Sequence, residues 1–338
     1  MLRSTQPRAV ALASLALLAA TACGGSRDAA RTGDTTSASA TPVVVSPDTT
    51  TPASGIIVPS TVTYEEADSV FKARDYARAT EMFDAYTKRR SDNPWGQYML
   101  GLAAWKSGQL DRARAAFEDA LQLDPKHVKS MVNLARVLLE EDKTPDALAR
   151  VQQALAVDSC SADGWRVLGR VYAQLRNTDE ALGAYRTALA IDPQDTWSMN
   201  NMGLVLIRAG RYDEALGPLA RAVQLSDEGV PSFQNNLGVS LERTGHYTLA
   251  ADAYRKALDA DTSYAKARVS LARVDGRSDD PGVDSVSVAS LGDAFAQEVD
   301  AWHAARDVAA LPHGADTTAV VKPDSVQPDS VKPDSVKP

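Results

Sequence analysis

The chain has 338 residues, with 36 basic and 44 acidic side chains and a net charge of -8. That balance excludes a general nucleic-acid binder, which would carry a basic patch or stripe. Two cysteines exclude a disulfide-rich scaffold, and the scattered His127, His246, His303 and His313 offer no pair at metal-ligand spacing.

Arg3 and Arg8 precede a short apolar run, Ala9 to Ala20, and then Thr21, Ala22 and Cys23. The run falls short of the roughly 20 residues needed to span a bilayer. A charged start, an apolar middle and small residues before a cut predict a signal peptide over 1–22. Cys23 directly after Ala20-Thr21-Ala22 resembles the bacterial lipobox. The resemblance implies cleavage before Cys23, acylation of its thiol and new amino group, and an exported lipoprotein held in the cell envelope. Gly24, where that family often places Asp for inner-membrane retention, favours the outer membrane, facing the periplasm. Several acyl chains anchor firmly, because each buried methylene contributes about 0.8 kcal/mol. The lipidated Cys and its tether, 23–59, are dominated by Thr, Ser, Ala, Pro, Gly and Asp. Such a segment cannot offset its ordering entropy and is predicted to be disordered.

From residue 60 the pattern changes. Stepping by 34 residues, with one residue inserted near Gly229, gives a column of Ala67, Gly101, Ala135, Gly169, Gly203 and Gly238 at position 8 of each unit. Position 20 reads Ala79, Ala113, Ala147, Ala181, Ala215 and Ala250. Two helices crossing closely leave no room beyond a methyl at the contact. Position 24 is large (Phe83, Phe117, Val151, Tyr185, Leu219, Tyr254) and is expected to fill the gap between a unit and its neighbour. In 162–195, Trp165, Leu168, Gly169 and Tyr172 share one side of a first helix. Ala181, Tyr185 and Ala188 follow on a second, which Asp192-Pro193 stops.

This order and spacing resembles the tetratricopeptide repeat (TPR), a 34-residue helix–turn–helix unit. The resemblance implies an all-α fold, an α-solenoid built as a right-handed superhelix of helix–turn–helix repeats, between disordered N- and C-terminal segments. The TPR domain is placed at 60–275, with repeats at 60–93, 94–127, 128–161, 162–195, 196–229 and 231–264 and a capping helix at 265–275. Thr144-Pro145 is expected to supply an N-cap and a first-turn proline. Pro218 is expected to bend its helix.

A stack of helix pairs curls around an inner groove. In the family, positions 2, 5, 6, 9, 12 and 13 of the first helices line it. The resemblance therefore carries a peptide-binding groove onto Trp95, Tyr98, Trp105, Asn133, Arg136, Arg166, Arg170, Asn200, Asn201, Arg208, Asn235, Asn236 and Arg243. An amide offers both donors and an acceptor, so repeated Asn at position 6 suits the peptide groups of an extended chain. The arginines suit a carboxylate. The aromatic cluster of the second unit reads equally as an anchor pocket or as ordinary packing.

After a polar linker, 276–289, Leu291, Phe295, Val299 and Trp302 recur near helical spacing and predict an amphipathic helix over 290–311. Its apolar side has nowhere obvious to bury except the solenoid, where it would lie in the groove in cis, or a partner; the alternative is a marginal, mostly disordered helix. The tail 312–338 repeats Pro-Asp-Ser-Val after Lys322, Gln327 and Lys332, a proline-rich spacer. No phosphate loop, dinucleotide fingerprint or nucleophile elbow appears, so no catalytic residue, metal or cofactor is assigned. The reading is a non-enzymatic, lipid-anchored protein–protein interaction scaffold that binds a protein or peptide partner in its groove. It meets the membrane through N-terminal acyl chains, binds no nucleic acid, and serves in assembly of envelope complexes. A regulatory or accessory subunit of one envelope enzyme is the alternative, and an enzyme in its own right the remotest.

Overall fold

The computed structural model describes residues 61–226 and 230–310. The signal peptide, Cys23, the tether and the tail beyond 311 lie outside the described residues. Fourteen helices and no strand occur among them. Six antiparallel pairs run in chain order: α1 (Tyr64–Lys72) with α2 (Tyr76–Arg89), α3 (Pro94–Lys106) with α4 (Leu110–Leu123), α5 (Val128–Glu140) with α6 (Thr144–Val157), α7 (Ala162–Gln174) with α8 (Thr178–Ile191), α9 (Thr196–Arg208) with α10 (Tyr212–Gln224), and α11 (Pro231–Arg243) with α12 (Tyr247–Ala260). Two more helices follow, α13 (Ala265–Val274) and α14 (Val288–Ala310).

Each pair closes on its columns of small residues. All six position-20 alanines are fully buried, and the position-24 side chains are at most 1% exposed. A methyl at Gly101 would lie 2.7 Å from Phe117 Cδ1, and one at Gly169 2.6 Å from Tyr185 Cε1. Position 24 therefore presses on position 8 of its own unit and also packs toward the next: Phe117 clusters with Met131 and Leu134, and Tyr185 with Met199 and Met202. First helices other than α11, whose N-cap is Val230, start on side-chain caps: Asn93, His127, Ser161 and Asp195 accept from backbone N–H groups of α3, α5, α7 and α9. At α1, Thr63 and Glu66 form a reciprocal capping box. Most second helices have no such cap, and Thr144 is not one. Helix α6 begins at Thr144, and its N-cap is Lys143, whose side chain makes no capping bond.

Successive first helices pack on one another (α3 on α5, α5 on α7, α7 on α9, α9 on α11) and form one continuous face. The linker folds back on the sixth unit. Asp280 N donates to Gly245 O, Thr248 N donates to Asp279 Oδ1, and Arg277 lies over the Tyr247 ring at 3.7 Å. Helix α14 does not enter the groove. It crosses α8 and α10, which are second helices, with Phe295 and Val299 buried against them and Arg186 stacked on Trp302 at 4.9 Å. The amphipathic pattern identified an apolar side, but the apolar surface that receives it is the outer face. There Gly217 leaves room: a methyl on it would sit 3.3 Å from Phe295 Cβ.

Candidate functional site

The inner face holds a cavity of about 960 Å³ lined by α3, α5, α7 and α9 and the turn before α7. A second, of about 420 Å³, continues it along α7 and α9. Both include Arg170 and Asn201. The floor of the larger is apolar (Leu102, Val128, Val132), with Tyr98, Trp105 and Trp197 as its aromatic walls. Its charged lining is Lys106, Lys129, Arg136, Arg166 and Arg170 against Asp158 and Asp163, and the smaller cavity adds Arg176 and Arg208. The groove is thus a cationic strip on a chain whose net charge is -8.

Much of this polarity is already spent. Asn133 donates to Lys129 O at 2.9 Å and accepts from Arg136 Nη1 at 2.8 Å. Arg136 Nη2 lies 3.1 Å from Asp163 Oδ1, yet it is buried with no hydrogen-bond partner among the described residues. Burial lowers the Arg136 pKa below its usual value, an effect that Asp163 opposes. Arg166 donates to Asp195 Oδ2 at 2.7 Å and also pairs with Asp163. Asp195 is buried, caps α9 through Oδ1, and takes the Ser198 hydroxyl at 2.6 Å. Arg166 therefore ties one repeat to the next, a structural use of a residue assigned to ligand. By contrast, Arg170, Asn201 and Arg208 make no hydrogen bond or ion pair among the described residues; all three line the smaller cavity, and Arg170 and Asn201 line the larger one too.

The remaining sequence-predicted residues divide. Tyr98 and Trp105 line the larger cavity, with Trp105 Nε1 donating to Glu140 at 3.0 Å. Trp95 lies outside both cavities, 45% exposed, edge-on to Tyr98 and His127 and under Lys129. Asn200 is buried and accepts from Asn236 Nδ2 at 2.9 Å. Asn235 is buried with Oδ1 unpartnered among the described residues, and Arg243 lies over the Tyr212 ring at 5.9 Å. Neither these two nor Asn200 and Asn236 line either cavity. Trp197, outside the residues that the resemblance carries over, is 52% exposed and lines the larger cavity, edge-on to Phe233. The position-2 column, which holds Trp95 and Lys129 in earlier units, was the signal that could have found it.

A stack of helix pairs with a polar, partly unspent inner groove defines an α-solenoid of the protein–protein interaction class. The chain belongs to the tetratricopeptide repeat family, matching it over residues 64–128, 132–196 and 200–265, more than half of its length. A chain of the APC/C hetero-tetramer Cut9–Hcn1 superposes with a TM-score of 0.56 at 16% identity, over 71% of this chain and 48% of its own length. That likeness supports the fold. A thermophilic TPR protein of Thermus thermophilus is 24% identical over 54% of this chain and 98% of its own, with a TM-score of 0.48. The peroxisomal targeting signal receptor of Komagataella phaffii is 35% identical over 72 residues. Those residues are 21% of this chain and 12% of the receptor, so the chain spans a small part of that relative's length.

Proposed function

We propose that the chain is a non-enzymatic scaffold of the bacterial cell envelope, anchored by lipid on Cys23, that holds an extended acidic segment of a partner protein in its groove. The observation that carries this reading is that Arg170, Asn201 and Arg208, two guanidinium groups and an amide, line one cavity of the inner face with no hydrogen bond or ion pair of their own among the described residues. Guanidinium forks match carboxylates bidentately, and the amide supplies donors and an acceptor for a peptide group. The apolar floor and Trp197 beside them give the neighbouring side chains of such a segment somewhere to bury. The anchor rests on the lipobox-like residues before Cys23.

Two measurements test it. Peptide-array binding with the purified full chain is expected to favour acidic extended peptides. Arg170→Ala with Asn201→Ala should weaken that binding by roughly tenfold or more, as loss of a desolvated charge-assisted contact would, while helicity stays intact. Unchanged binding ends the groove assignment. For the anchor, Cys23→Ser should move the protein from the membrane fraction to the soluble one, and a variant still sedimenting with membranes rules out lipidation there.

A further inference from the structure

We infer that the groove selects a two-part ligand: an apolar side chain of the bound segment between α3 and α5, and two carboxylates further along it over α7 and α9, with no acid between. This rests on the reading of the inner face as a groove for an acidic segment, and it sets where along that segment the acids must stand. The first observation is that polar atoms at the α3–α5 end bond to one another. Trp105 Nε1 donates to Glu140 Oε1 at 3.0 Å, and Asn133 Nδ2 lies 3.5 Å from the Tyr98 hydroxyl while also donating to Lys129 O. Lys106 lies over the Trp105 ring at 4.7 Å. What this end offers a ligand is the apolar surface of Leu102, Val128 and Val132.

The middle of the groove is spent on itself. Arg136 Nη2 stands 3.1 Å from Asp163 Oδ1, Arg166 Nη1 stands 2.7 Å from Asp195 Oδ2, and Arg166 also pairs with Asp163. A ligand carboxylate placed there would meet Asp163, whose side chain is 56% exposed, and like charges brought together cost affinity. Beyond this belt the balance reverses. Arg170, Asn201 and Arg208 carry no hydrogen bond or ion pair among the described residues, and the wall of the smaller cavity that they line holds Arg176 as well but no acidic residue.

Helix spacing sets the interval. The cleft between α3 and α5 lies one and a half to two helix steps from α7, about 12–20 Å at 8–10 Å per step. An extended chain covers that distance in about four to six residues at ~3.3 Å each. Arg208 is on α9, one helix further, which adds about three residues. The ligand is thus an apolar residue, a stretch without acids, and then two acids in reach of Arg170 and Arg208.

The test is titration calorimetry of the purified full chain with synthetic peptides of about twelve residues, capped at both ends so that no terminal carboxylate contributes. The parent peptide has one phenylalanine, about five alanine and serine residues, and two aspartates about three residues apart, and it is made in both chain directions. In the tighter direction, replacing the phenylalanine by serine should weaken binding by roughly tenfold or more, as loss of one buried aromatic side chain would. Moving the aspartates next to the phenylalanine should weaken it by a similar factor, because they then face Asp163. Leu102→Ser should weaken the phenylalanine peptide and leave the serine peptide unchanged, whereas a loss of fold would weaken both. The peptide series needs no variant and decides the matter even where Leu102→Ser does not fold. Equal binding with and without the phenylalanine, or at every spacing of the aspartates, overturns the two-part ligand and leaves the acidic groove standing. No binding by any acidic peptide removes both.

Discussion

Glycine serves two opposite purposes in these repeats. At position 8 it makes room. Tyr185 is fully packed, and a methyl at Gly169 would meet its ring at 2.6 Å. Gly169→Ala should therefore destabilise by about 1–3 kcal/mol through overpacking. In the turn between paired helices glycine supplies conformation instead: Gly108, Gly210 and Gly245 have φ of 80°, 75° and 85°. Arg74, Asp142 and Arg176 occupy the equivalent turns at 63°, 58° and 64°, where a Cβ is strained. Arg74→Gly should raise stability by up to about 1 kcal/mol and the thermal midpoint by ~2–4 °C, measured by calorimetry. A lower midpoint would show that the arginine makes a compensating contact. A second residue-scale prediction concerns His127, whose Nδ1 takes the Ser130 N–H and hydroxyl while Nε2 is buried without a partner among the described residues. Burial lowers its pKa, with Asp124 opposing and Lys129 reinforcing. The folded state thus binds the proton less well than the unfolded chain. Stability is intact above the unfolded value of about 6.5 and falls as pH drops below it. His127→Asn keeps a cap acceptor and should lose less of its urea midpoint between pH 7.5 and 5.5 than the parent chain does. An equal loss in both excludes His127 as the cause.

At the scale of elements, the helix pairs were legible because close packing writes itself into the sequence at a fixed period. Ala79 to Ala250 and Phe83 to Tyr254 are columns that water-facing positions would have no reason to keep. The seat of α14 was not legible, since Phe295, Val299 and Trp302 identify an apolar side without naming its counterpart. Gly217, on the outer face of α10, was the trace left in the sequence, but it reads equally as a helix defect beside Pro218. Helix α10 runs from Tyr212 to Gln224 through that proline. Gln224 Nε2 donates to Ala289 O at 2.9 Å, which fixes the start of α14, and His303 fixes its far end on α8. Helix α14 therefore staples the fourth unit to the fifth. Phe295→Ala should release it. Hydrogen exchange of 288–310 should rise to that of an unpacked helix, with α8 and α10 losing part of their protection and α3 to α5 unchanged. Retained protection of 288–310 would mean that Phe295 is not the anchor.

For the molecule as a whole, the inner face follows from position numbers, but its free chemistry does not. The repeated amides at position 6 are Asn133, Asn201 and Asn236, with Asn200 and Asn235 beside two of them at position 5. Yet Asn200 and Asn236 bond to each other, and Asn133 is taken by Arg136 and Lys129. Which amides remain open depends on the rotation between units, and a 34-residue period is silent about that. Rotation and stapling also make stability uneven. The buried apolar side chains form separate clusters: nine residues around α1 to α4, and twenty-four from α8 to α14. A solenoid's stability is close to a sum of unit and interface terms, so the first unit, whose nine-residue α1 buries only Ala67, is held by the smallest sum. The fourth to sixth units gain the α14 staple, the linker bonds at Gly245 and His246, and Glu242. The Glu242 carboxylate takes bonds from Arg273 of α13 and Tyr254 of α12, and its pKa stays below the usual range because these bonds outweigh burial. Hydrogen exchange in rising urea should therefore open α1 and α2 first and α8 to α12 last, with distinct midpoints rather than a two-state transition. A single midpoint shared by all helices would mean that coupling between units exceeds these differences, and that the staple adds nothing the stack did not already have.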